Sequence, residues 1–120
     1  MKILSMPRIA PPTQTYTGTI PNTVAGGSTN TVSVGTSNGN TVTGTITMSA
    51  NHYESSGVYL EIRANGTTIQ TLKNNGSVTN GEEVSVNALC NAGDAITIYV
   101  RNTSGAGGGL IFGGTYTITM

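Results

Sequence analysis

The sequence predicts an all-β protein: an antiparallel β-sandwich of jelly-roll type, about eight strands, with an extended N-terminal arm. Apolar and polar residues alternate with a period of two through a series of short segments. Those segments are rich in Thr, Val and Ile, and Asn-Gly or other glycine-containing turns separate them. No window carries the apolar stripe of an amphipathic helix.

Residues 1–14 read as the arm and residues 15–120 as the sandwich. Pro7, Pro11 and Pro12 exclude helix from the arm, while Ile3, Leu4, Met6 and Ile9 give it apolar side chains to dock. "TYTGTI" (15–20) alternates Thr with Tyr16, Gly18 and Ile20, and "NTVSVG" (30–35) makes a short second strand. "TVTGTITM" (41–48) places Val42, Ile46 and Met48 on one face and threonines on the other. "GVYLEIRA" (57–64) sets Val58, Leu60, Ile62 and Ala64 against Tyr59, Glu61 and Arg63.

Asn65-Gly66 then predicts a two-residue type I′ turn. Its register places Ala64 opposite Thr67, Ile62 opposite Ile69 and Leu60 opposite Thr71, with Tyr59 opposite Leu72 and Glu61 opposite Gln70. "EEVSVNAL" (82–89) and "DAITIYVR" (94–101) repeat the alternation with Val84, Val86 and Ala88, then Ile96, Ile98 and Val100. "GTYTITM" (114–120) closes the set. Asn38-Gly39, Asn75-Gly76, Asn80-Gly81 and Ala92-Gly93 mark the other turns. The echo between "TYTGTI", "VTGTITM" and "TYTITM" reflects alternating Thr, since its spacing is too uneven for a repeat.

A chain of 120 residues suits one domain with a single core. Charged residues are only 8% of it and cancel to zero, which protects weakly against association and fits a surface covered in an assembly. Lys2, Arg8, Arg63, Lys73 and Arg101 are scattered, which argues against nucleic acid as the partner. The opening "MKILSMPRIAPP" is too short in apolar residues for a secretory leader, and no segment reads as a membrane span. Synthesis in the cytoplasm is therefore expected.

Each motif with catalytic or ligand chemistry meets a structural alternative that accounts for it. "GAGGGLIFGG" starts like a dinucleotide loop, but Leu110 replaces the last glycine and no helix follows. It is expected to be a glycine-permitted connection that buries Leu110, Ile111 and Phe112, beneath the sandwich or against a neighbouring subunit. His52 stands alone without a nucleophile motif, so no catalytic residue is assigned. One His and one Cys do not close a zinc site, and the isolated acids Glu54, Glu61 and Asp94 do not make a calcium loop. Glu82 and Glu83 point to opposite faces of a strand. No cofactor and no metal are expected. Cys90 is expected to pack as a small apolar group. The sequons at Asn65, Asn75 and Asn102 follow from a chain rich in Asn, Thr and Ser. Tyr53, Tyr59 and Tyr99 are candidates for exposed rings that stack on sugars or anchor an interface, or else lie under loops.

Residues 56–120 resemble the jelly rolls of the tumour-necrosis-factor and complement-globular-head type. The likeness rests on "SGVYLEIRANGTTIQTLKNNG", "VSVNALCNAGDAITIYVRN", and a glycine-rich loop before "GTYTITM". It implies a homotrimer packed through strand faces. In composition and architecture the whole chain resembles small accessory virion proteins of tailed bacteriophages: short, Thr/Gly/Asn-rich and sparsely charged, with an N-terminal arm.

That resemblance implies a non-enzymatic capsid decoration (cement) protein on the virion. Its partners would be the major capsid protein and further copies of itself, bound through Ile3, Leu4, Met6, Pro7, Ile9, Pro11 and Pro12. Tyr59, Tyr99, Leu110, Ile111 and Phe112 would lie at subunit interfaces. The alternative is a receptor- or glycan-binding domain of a tail fibre.

Overall fold

The computed structural model describes residues 11–24, 27–51, 54–103 and 111–120. Among them the chain is a two-sheet β-sandwich of eight antiparallel strands: β1 (Thr15–Val24), β2 (Ser28–Thr36), β3 (Val42–Ala50), β4 (Glu54–Ala64), β5 (Thr67–Val78), β6 (Glu83–Ala88), β7 (Ala95–Asn102) and β8 (Ile111–Thr119). One sheet has the order β1-β8-β3-β6 and the other β2-β7-β4-β5. The first strand pairs with the last, the second with the seventh, the third with the sixth and the fourth with the fifth.

Alternation decides which side of each sheet faces inward, because successive strand side chains point to opposite faces. Val42, Ile46 and Met48 of β3 are buried, as are Val58, Leu60, Ile62 and Ala64 of β4 and Ile96, Ile98 and Val100 of β7. Ile20, Val34, Val78, Val86, Ala88, Tyr116 and Ile118 of the other strands, with Met120 just after β8, complete the layer. Phe112 is fully buried among them, as its apolar character predicts. Tyr116 owes its place to Gly18 on the neighbouring strand, where an added Cβ would stand 2.5 Å from the Tyr116 hydroxyl oxygen.

Three local expectations need correction. The type I′ turn forms, with Asn65 at φ 52° and Gly66 at φ 81°, and Ala64 faces Thr67. The register then slips: Ile62 faces Gln70, Glu61 faces Thr71 and Leu60 faces Lys73. β5 is an edge strand, and an edge tolerates extra residues because its outer side has no ladder to keep in step. Asn75-Gly76 is likewise no turn: Asn75 (φ 52°) lies inside β5, at another register irregularity. β1 does not stop before Pro21 but continues to Val24, with a register shift between Ile20 and Thr23. β1 is also an edge, where proline's missing donor costs nothing. The Asn30 amide covers the irregularity, donating to the carbonyls of Pro21 and Asn22 at 3.2 Å each.

Pro11 to Gln14 belong to no strand, yet they are tied to the sandwich. Gln14 exchanges both backbone hydrogen bonds with Met120, at 2.9 and 3.0 Å. Asn40 Nδ2 donates to the Pro11 carbonyl at 2.9 Å. Ile3, Leu4, Met6, Pro7 and Ile9 of the expected arm lie outside the described residues, as do His52, Tyr53 and the run from Ser104 to Leu110.

Candidate functional site

The two sheets bury their apolar rows against each other and turn different chemistry outward. On the sheet β1-β8-β3-β6 the outward positions form three rows. Thr15, Thr119, Thr43 and Asn87 make the first, and Thr17, Thr117, Thr45 and Ser85 the second. Thr19, Thr115, Thr47 and Glu83 make the third. β-branched Thr suits a pleated surface and its hydroxyl keeps that surface wet. One directly opposed pair also bonds: Thr15 Oγ1 and Thr119 Oγ1 are 3.0 Å apart. Strands lie about 4.8 Å apart, so this face is a regular array of short hydroxyl side chains.

The outer face of β2-β7-β4-β5 is built otherwise. Its rows run Thr29, Arg101 and Tyr59; Thr31, Tyr99, Glu61 and Thr71; and Ser33, Thr97, Arg63 and Thr68. Tyr59 and Tyr99 thus stand on the face opposite the apolar rows, both half-buried. The Arg63 guanidinium carbon lies 3.6 Å from the centroid of the Tyr99 ring. Arg63 Nε and Nη2 each reach Glu61 Oε1 at 2.9 Å, and Thr68 Oγ1 donates to the same oxygen at 2.7 Å. Glu61 and Arg63 are 17% and 28% exposed, so this pair is held more firmly than a freely solvated one. Arg101 is exposed beside Tyr59 and makes no ion pair or hydrogen bond within the described structure.

The remaining candidate residues have structural roles. Cys90 packs partly against the core but is not merely apolar. Its sulfur lies 2.8 Å from Ser37 Oγ, and it donates to the Asn40 carbonyl at 3.3 Å. Asp94 holds its loop, accepting from Asn65 Nδ2 at 3.0 Å and from the Asn91 amide at 2.9 Å. Glu82 precedes β6 and pairs with Lys73, while Glu83 is exposed on the threonine face. Asn102 is fully buried. The described residues hold no group of three or more His, Cys, Asp and Glu placed for a metal. No helix among them is long and apolar enough to cross a membrane. Asn22, Ser49, Ala50 and Asn51 line an open cleft of about 320 Å³.

Of the interface candidates, Phe112 is a core residue. Ile111 enters β8, with its side chain outside the described ones. Among the described residues Leu89 alone is a large exposed hydrophobe, at 79%. The apolar strand faces are consumed by the core, so a homotrimer packed through strand faces would have to use the polar outer faces that the two sheets present. Sequence reasoning identified Tyr59 and Tyr99 but missed Arg63, Glu61 and Arg101 as their companions. Alternation places Tyr59, Glu61 and Arg63 on one face of β4 and Tyr99 and Arg101 on one face of β7, and only the β4–β7 register joins the two sets.

The class these observations define is an eight-stranded antiparallel β-sandwich with two chemically distinct outer faces. No known family model and no curated protein matches the chain.

Proposed function

We propose that the chain is a non-enzymatic structural protein of a phage particle, a capsid decoration protein that binds the head surface as a symmetric oligomer. The observation that carries this role is the threonine face. It spans four strands, has one charged side chain (Glu83) at its edge, and consists of side chains short enough for another protein surface to approach closely. Such a face suits many shallow contacts repeated by symmetry. It also replaces the apolar strand faces as the surface for a homotrimer. We further read the nested pairing of first strand with last as the wrapping of a jelly roll. The ties at Pro11 and Gln14 hold the base of the arm against the sandwich, from which residues 1–10 would engage the shell. Co-sedimentation with purified heads tests this role. The full chain pellets with heads and a chain lacking residues 1–10 does not. A chain that stays in the supernatant at saturating heads excludes it.

A receptor- or glycan-binding role for a tail-fibre domain is favoured by a different observation, the paired tyrosines with Arg63 and Glu61 on the other face. It predicts glycan-array signals that Tyr59→Ala or Tyr99→Ala abolishes.

A further inference from the structure

We infer that the outer face of β2-β7-β4-β5 takes an acidic, carboxylate-bearing polysaccharide, with Arg101 meeting the carboxylate and Tyr59 stacking on the sugar ring. Acid recognition presupposes the glycan-binding alternative, and holds whether the domain sits on a head or on a fibre.

The charge on this face decides the sign of the ligand. Glu61 neutralises Arg63, whose guanidinium also occupies one side of the Tyr99 ring. Arg101 is the charged group left over on the face, exposed and without a partner in the described structure. The patch therefore carries one uncompensated positive charge, presented as a planar fork that matches a carboxylate with two parallel hydrogen bonds.

The neighbours of that charge decide the class of ligand. Tyr59 lies directly across from Arg101, so a ring and a fork sit side by side at cross-strand distance. Among the described residues no cation stacks on Tyr59, whereas Arg63 stacks on Tyr99. Thr29 and Thr31 border the pair with hydroxyls on exposed positions. An aromatic plate, a fork and a fringe of hydroxyls complement the C–H face, the carboxylate and the hydroxyls of a uronic or sialic acid residue. A protein partner would instead call for an apolar centre, and the one large exposed hydrophobe among the described residues, Leu89, follows β6 of the other sheet.

Binding of the full chain to polygalacturonate, hyaluronate and polysialate, with dextran and poly-L-glutamate as comparators, tests this at two salt concentrations. The expected result is binding to at least one acidic polysaccharide, weakening as salt rises, and little binding to dextran. Arg101→Gln and Tyr59→Ala each reduce that affinity about tenfold, the size expected for a charge-assisted hydrogen bond or a lost stacking plate. Arg101→Lys falls between wild type and Arg101→Gln, and Glu83→Gln on the opposite face changes nothing. Unaltered far-UV circular dichroism shows that each variant is folded.

Equal binding to dextran that Tyr59→Ala abolishes and Arg101→Gln does not overturns the acid preference and leaves glycan binding standing. Binding to poly-L-glutamate in place of the polysaccharides overturns the inference in favour of an acidic protein surface. Binding to none of the five overturns both the inference and the glycan-binding role.

Discussion

The two outer faces of this sandwich share a backbone geometry and differ in nearly everything else. Around the β1-β8-β3-β6 sheet, threonine fills three consecutive outward rows across three adjacent strands, so no position there differs much from its neighbour. Around the β2-β7-β4-β5 sheet, rings, guanidinium groups and a carboxylate are interleaved: Glu61, Arg63, Thr68 and Tyr99 hold one another in place, while Arg101 stands beside Tyr59 without a partner in the described structure. The first arrangement spreads any contact thinly over a wide area. The second concentrates it at a few groups that are already oriented. One domain thus carries a surface suited to repeated shallow packing and another suited to a discrete ligand.

The contrast can be broken from below, where both faces depend on one core. Phe112→Ala removes the largest fully buried side chain among the described residues and should cost about 4 kcal/mol. Urea unfolding would show it as a lower midpoint, with loss of any binding by either face. A selective disturbance of the threonine face comes next. Gly44 sits in β3 at φ 143°, and an added Cβ there would collide with the carbonyl oxygen of Thr117 on β8. Gly44→Ala should cost about 3 kcal/mol through strain and overpacking. Its hydrogen-exchange signature should be faster exchange in β3 and β8, with β4 and β7 less affected.

Smaller effects separate the faces themselves. Glu61→Ala leaves Arg63 and Thr68 without their shared acceptor and should cost about 1 kcal/mol by denaturant unfolding. It should also free the Arg63 guanidinium from its place over Tyr99, which the Tyr99 ring resonances would report. Thr117→Val on the opposite face exchanges one β-branched side chain for another at an exposed position. It should leave stability within about 0.5 kcal/mol. A large loss there would mean that the threonine hydroxyls act as a connected network, and the contrast drawn above would fail.

Much of this was legible in the chain. Period-two alternation identified the inward rows of β3, β4 and β7 residue by residue, because burial of one face of a strand forces that pattern. The Asn65-Gly66 turn was legible for a similarly local reason, since few residues accept positive φ at both positions. The slip in β5 was not legible: a register shift leaves composition unchanged, and what permits it is the strand's place at an edge. The passage of β1 through Pro21 was hidden for the same reason.

The sequence by itself determined which residues face the core and which face out, because side-chain direction along a strand is set by the backbone repeat. It therefore also determined that the outward residues of some strands are mostly threonine, while those of β4 include Tyr59, Glu61 and Arg63 and those of β7 include Tyr99 and Arg101. Only the tertiary structure decided which outward residues become neighbours. Strand order and register join positions far apart in the chain, bringing Thr17 beside Thr117 and Thr45, and Arg63 over Tyr99. Those pairings depend on how the strands wrap around a shared core, a choice that no single strand's pattern contains.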